Sequence, residues 1–278
     1  LRSRRRGLAR ASLTARIASV PTPFQHLHYA QQILLAPELP AWLRDRLEAE
    51  SGAFLLGNTA GDVQTITGQR RVETHFYSLS DLHRGPACDG LLTAYPSLAD
   101  PWSLSPARAA FVSGYLVHLM WDEIWADDVF IPLYRDSAIW PDWESRFIHH
   151  NALRVHLDRE SYAALDRDGV AAALESVTPV QWLPFVPDAA LKEWRDWLAT
   201  QLRDPSTVET AAVFAERMAV PVTALENIVD AMAGGRYVDV PRLDEALARY
   251  EAAGQAGSVR VLLRYWGSRP RLVLVPED

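Results

Sequence analysis

GYLVHLMWDEIWADDVFIPL, residues 114–133, decides how this chain folds. Its apolar residues fall on every side of a helical projection, which is the pattern of a helix enclosed by other helices rather than one lying at a surface. Two polar groups interrupt it. His118 precedes Asp122 by four residues, so imidazole and carboxylate stand one turn apart on the same face. The apolar run from Ala107 to Trp121 is broken by His118 and followed by Asp122, Glu123, Asp127 and Asp128. It therefore falls short of a membrane span. Ser105-Pro106 supplies the start signal, and the helix is expected to continue to about Tyr134, with an irregularity before Pro132.

Working outward, helical spacing dominates the rest of the chain. FQHLHYAQQILL (24–35) has helix-forming composition, and AWLRDRLEAESG follows Pro40 and stops at Gly52. Helices are expected over about 141–158 and 160–174. From Pro187 onward, four further segments repeat a helix-turn-helix pattern, and GSVRVLLRYWG extends the last of them. The closing RLVLVPED reads as a strand-like tail. With no sustained alternation anywhere, the fold class is all-α. Three regions are expected: an arginine-rich, poorly ordered extension over 1–19, a helical core over 20–180, and a C-terminal helical region over 187–278 that packs either separately or as part of one domain. PVQWLPFVP (179–187) is the candidate hinge.

Composition narrows the function. The 278 residues are 49% hydrophobic, which is globular, and the formal net charge of −7 gives no signal for nucleic-acid binding. No secretory signal is recognisable, so a cytoplasmic location is expected. Cys88 is the only cysteine. An intramolecular disulfide and a cysteine-based zinc site are both ruled out, and any metal must be held by His, Asp and Glu.

The candidates for that role are spread along the chain. His118 and Asp122 suit an N/O metal site, but such a pair can also simply satisfy itself by hydrogen bonding. Between Gly57 and Gly90 lies a polar, turn-rich stretch too long for an ordinary connection, and it presents Asp62 and His75 from a loop. In the first helix, only one of His26 and His28 can face inward. Glu73, Glu123 and Asp127 read as solvated positions, and the many tryptophans read as core.

QHL (25–27), GNTAGDV (57–63), THFY (74–77) and GYLVHLMWD (114–122), in this order, resemble the zinc-dependent phospholipase C family, which is distantly related to the fungal and plant single-strand-specific zinc nucleases. The resemblance covers roughly residues 21 to 135. It implies an all-α fold and a phosphoester hydrolase that uses a zinc-activated water. Asp62, His75, His118 and Asp122 would hold one ion, and His26 would share a neighbouring ion with Asp122. Asp62 would act as ligand and proton acceptor together. The substrate would be a small-molecule or lipid phosphoester. Asp128 stands where the family pattern has a further histidine. Among the downstream histidines, His150 and the His156/Glu160 pair remain open as ligands, with His150 favoured. Nothing matches the family's N-terminal amine ligand, so one or two Zn²⁺ ions are expected rather than three. The alternative function is a non-catalytic helical protein with a residual structural zinc site.

Overall fold

A computed structural model describes residues 22–78, 85–235 and 240–267. All regular elements among these are helical, so the chain is all-α. The helices are α1 (Pro23–Leu35), α2 (Ala41–Ala49), α3 (Ser51–Gly57), α4 (Gln64–Thr67), α5 (Arg71–His75), α6 (Ala87–Ala94) and α7 (Pro106–Trp125). They continue with α8 (Trp143–Ala164), α9 (Arg167–Glu175), α10 (Asp188–Arg203), α11 (Thr210–Met218), α12 (Val222–Ala233) and α13 (Leu243–Trp266). The extension over 1–19 and the RLVLVPED tail lie outside the described residues, as does His83.

The central helix begins where the sequence places it. The Ser105 hydroxyl accepts from the Arg108 backbone N–H, and Pro106 occupies the first turn, where no N–H is needed. The helix is enclosed: Phe111, Val112, Tyr115, Leu116, Val117, Leu119 and Trp121 are all fully buried, and so are His118 and Asp122. α3 lies along one flank of α7 and α13 along another. The α3 crossing is close because Gly114 faces α3. A Cβ there would stand 2.2 Å from the Phe54 carbonyl oxygen. Beyond Trp125 the winding loosens into a π-helix, Ala126–Arg135, with Pro132 inside it. A proline removes one N–H and its ring crowds the preceding turn, so a wider turn accommodates it.

α1 crosses the end of this assembly and packs on α8. Its Tyr29 ring stacks on Trp121 of α7, with centroids 3.9 Å apart, while Tyr250 of α13 meets Trp121 edge-on at 4.9 Å. This aromatic junction holds α1, α7 and α13 together beside the centre, with Tyr29 one turn from His26 and Trp121 adjacent to Asp122. α9 covers α3, and α10 covers α9. α11 and α12 pack on α8 through a smaller cluster of Ala152, Val155, Phe214, Ala215, Leu225 and Val229, separate from the main core.

Several expectations are corrected. The stretch from Gly57 is not one long loop; it winds through a 3₁₀ turn (Ala60–Val63), α4 and α5. Its backbone polar groups bond locally, which is how a buried irregular segment satisfies them. The expected break near Asp158 is absent, because α8 runs unbroken from its Asp142 cap to Ala164, and the break falls at Asp166, which caps α9. The proposed hinge is anchored instead: Trp182, Leu183 and Val186 are buried in the main core. That core takes residues from both sides of it, from Phe24 to Trp266. Among the described residues, no helix is long and apolar enough to cross a membrane.

Candidate metal centre

Four elements bring five side chains to one point. α1 supplies His26, the 3₁₀ turn Asp62, the last residue of α5 His75, and α7 both His118 and Asp122. His26, His75, His118 and Asp122 are fully buried, and Asp62 retains 7% exposure. His26 rather than His28 faces inward; His28 is half-buried and bonds Gln32 across one turn. His75 ends a short helix, so its ring is placed by a defined turn and not by a loop.

The donor atoms lie close together. His26 Nε2 is 3.3 Å from Asp122 Oδ1, and His75 Nε2 is 3.1 Å from Asp122 Oδ2. His118 Nε2 is 3.2 Å from His75 Nε2 and 3.8 Å from Asp122 Oδ2. Asp62 Oδ1 stands 3.7 Å from His75 Nε2. Two donors bound tetrahedrally to one Zn²⁺ at about 2.0–2.1 Å are separated by roughly 3.3 Å. The observed spacings bracket that edge. They form two overlapping groups, His26/Asp62/His118 and His75/His118/Asp122, in which the donor atoms of each group lie within 4.8 Å of one another.

Hydrogen bonds settle which ring nitrogens face the centre with lone pairs. His118 Nδ1 lies 2.9 Å from the Asn58 carbonyl, which only accepts, so the ring proton sits on Nδ1. Thr74 Oγ1 donates to the Arg71 carbonyl and sits 2.9 Å from His75 Nδ1, so that nitrogen also carries its proton. Both Nε2 atoms then direct lone pairs at each other and at the Asp122 carboxylate. Without a cation between them, that juxtaposition is repulsive. His26 makes no hydrogen bond through either ring nitrogen among the described residues, and Asp122 Oδ1 likewise accepts none. Buried polar atoms left in this state are costly unless a ligand completes them. The donor set, nitrogen and oxygen only, fits Zn²⁺.

Electrostatics point the same way. Burial holds the His118 imidazole well below its ordinary pKa, assisted by the neighbouring His26. Burial and the Arg71 cation lower His75. Burial opposes ionisation of Asp122, but its neighbours His118, Arg71, His26 and His75 hold it well below the usual carboxylate range. Burial raises Asp62, partly offset by His75 and reinforced by Asp122. Neutral imidazoles beside an ionised carboxylate are the protonation state that ligation requires.

Sequence reasoning missed Arg71. Its Nη2 donates to Asp122 Oδ2 at 2.5 Å and to the Tyr77 hydroxyl at 3.1 Å. The signal was its position four residues before His75, which matters only once this segment is known to be helical. Sequence also gave no sign of Tyr115, whose hydroxyl donates to the Thr74 carbonyl at 2.6 Å and braces the end of α5.

The remaining candidates lie elsewhere. His150 is buried, but its Nε2 accepts from Trp125 Nε1 at 3.0 Å and its ring is boxed by Phe130 and Tyr134, so it faces an aromatic pocket and not the cluster. Asp128 sits on the π-helix beyond α7, outside both donor groups; six residues past Asp122, it falls on a different face of the helix. His156 pairs with the exposed Glu160 at 3.5 Å. Glu73 bonds Arg70 at the surface. Trp121, Trp125, Trp140, Trp182 and Trp194 are core, and Trp194 together with the partly buried Trp197 lines a cavity of about 30 Å³ beside Asp62.

Gly61 makes room for the centre. A Cβ on it would stand 2.2 Å from His118 Nε2. Gly61→Ala is therefore expected to displace the imidazole and lower metal affinity at least tenfold, at a stability cost of about 1–3 kcal/mol for overpacking. Zinc titration against a competing chelator checks this, and wild-type affinity in the variant would refute the close approach. Compared with known proteins, the chain matches no protein-family model, no curated protein and no solved structure at a significant level.

Proposed function

We propose that the chain is a zinc-dependent phosphoester hydrolase of the phospholipase C type that its motifs resemble, with His26, Asp62, His75, His118 and Asp122 as the metal ligands. The observation that carries this reading is the convergence of uncompensated donors: His26 and Asp122 Oδ1 lack hydrogen-bond partners, and two imidazole lone pairs face each other 3.2 Å apart. Bound zinc supplies Lewis-acid polarisation of a water and of a phosphoryl oxygen.

The chain's own residues do the rest. Asn58 and Thr74 fix the His118 and His75 tautomers, and Arg71 fixes the Asp122 carboxylate. Asp62, at the cavity wall, would accept the hydrogen bond of the attacking water and take its proton as the new P–O bond forms; the P–O bond to the ester oxygen breaks, and the departing alkoxide takes a proton from solvent. Charge favours one ion. Asp62 and Asp122 bring two negative charges and Arg71 one positive, so a single Zn²⁺ leaves the centre with one net positive charge, whereas a second would leave it strongly cationic.

The test is metal analysis of the purified chain combined with hydrolysis of an aryl phosphodiester. About one zinc per chain is expected. Activity should fall about 10³-fold or more on chelation and return with zinc, since such centres supply several kcal/mol to the transition state. A chain that binds no zinc at neutral pH sinks the reading. A second reading, a structural zinc, draws support from the complete burial of four ligands. Zinc retained without any hydrolysis would select it.

A further inference from the structure

The cavity beside Asp62 carries a feature that metal binding does not use. Its wall includes Phe24, Thr65, Arg154, Trp194, Phe214 and Arg217. Arg154, on α8, is 1% exposed, donates from Nη1 to Asn151 Oδ1 at 2.8 Å, and lies over the Phe214 ring at 4.1 Å. Its guanidinium is thereby held in one orientation. Arg217 reaches the same space from α11, half-buried, with Nη2 donating to Thr65 Oγ1 at 2.8 Å.

Two arginines therefore face one small cavity whose only acidic lining residue, among the described residues, is Asp62. Guanidinium groups stay cationic at neutral pH even when burial works against them. The result is a local positive site in a chain whose formal net charge is −7. A walled cationic cleft of this kind concentrates anions of matching shape, and guanidinium forks match tetrahedral oxyanions by paired hydrogen bonds. The cavity, about 30 Å³, now has room for roughly two waters. α11, which carries Arg217, packs through the smaller hydrophobic cluster.

We propose that Arg154 and Arg217 form an oxyanion subsite that seats the phosphoryl group of the substrate beside Asp62. The pair binds a tetrahedral oxyanion with or without metal; only the statement that this oxyanion is the substrate's own phosphoryl group rests on the hydrolase reading above. Trp194 and Phe24 then place an apolar or aromatic face next to the bound group.

The probe is inorganic phosphate, titrated into the full chain at constant ionic strength, first stripped of metal by chelation and then zinc-loaded. Phosphorus NMR line broadening and calorimetry provide the readouts. Saturable binding is expected in both forms. Arg217→Gln should weaken it by about 10-fold to 100-fold, as expected for losing charged hydrogen bonds, while Arg217→Lys should retain part of it. Arg217 is half-buried at the end of α11, so the variants should fold, and an unchanged circular dichroism spectrum and unfolding midpoint check this. For the zinc-loaded enzyme, the loss in Arg217→Gln should appear chiefly in KM. Absence of saturable phosphate binding to the wild-type chain, or equal binding by Arg217→Gln, overturns the subsite. Phosphate binding by a chain that takes up no zinc when zinc is supplied overturns the hydrolase reading and leaves the subsite standing. Zinc-dependent hydrolysis indifferent to Arg217→Gln does the reverse.

Discussion

Asp122→Ala is expected to remove metal binding altogether and to cost about 3–5 kcal/mol of stability, the range found when one member of a buried ion pair is deleted. Asp122 is fully buried and is the group that the other residues share. It meets His26, His75 and His118 at 3.3, 3.1 and 3.8 Å and accepts from Arg71 at 2.5 Å. Its loss leaves the Arg71 guanidinium buried opposite three imidazoles. Against a total stability of roughly 5–15 kcal/mol, that is enough to unfold much of the population. Asp122→Asn separates the two effects, because the amide retains the shape and one acceptor while removing the charge. Denaturant unfolding and metal analysis of both variants are the measurements. Wild-type stability in Asp122→Ala would mean that Arg71 has another way to be satisfied, and the account of the centre would fail.

Asp158→Ala is the second large effect, and it acts from outside the metal centre. Asp158 is 2% exposed on α8. Its Oδ1 accepts from the backbone N–H groups of Phe24 at 3.1 Å and Gln25 at 3.3 Å, and its Oδ2 accepts from the Thr210 hydroxyl at 2.7 Å. Thr22, at the cap position of α1, makes no side-chain cap of its own. A carboxylate from a helix more than a hundred residues away therefore caps α1, and the negative charge suits the positive end of that helix. The same group ties down the start of α11, which carries Arg217. Alanine leaves several buried donors without partners, at an expected cost of about 2–4 kcal/mol. Because His26 sits one residue beyond Gln25, zinc affinity should fall as well. Thr210→Ala removes only one of the three bonds and is expected to cost about 1 kcal/mol. Equal costs for Thr210→Ala and Asp158→Ala would refute the capping role.

Asp158 also marks where sequence reading stopped. Asp-Arg-Glu in a row reads as a solvated helix end, which places a boundary there. In the fold, Arg159 and Glu160 do face solvent, while Asp158 turns inward. Helical periodicity allows either outcome, and only the position of α1 decides. Arg71 was hidden for a related reason. Its relation to His75 depends on a one-turn helix inside a stretch whose composition favours turns. Asp128 and His150 failed differently. Both come from matching the chain to the family pattern, which carries no information that Asp128 lies on a π-helix and that aromatic rings enclose His150.

The sequence by itself determined the helical class, the start of the central helix, and five candidate donors, since 3.6-residue periodicity, a Ser-Pro start and His-x-x-x-Asp spacing are local properties. Tertiary structure decided what those donors amount to. Their 3.1–3.8 Å spacing, the tautomers set by Asn58 and Thr74, the Arg71 cation on Asp122, and the arginine-lined cavity all arise between elements distant in the chain. The physical reason is that a side chain's partners, and hence its protonation and the cost of its burial, are fixed by what packs against it. Residue order names the groups available to the centre; packing determines which of them face one another there.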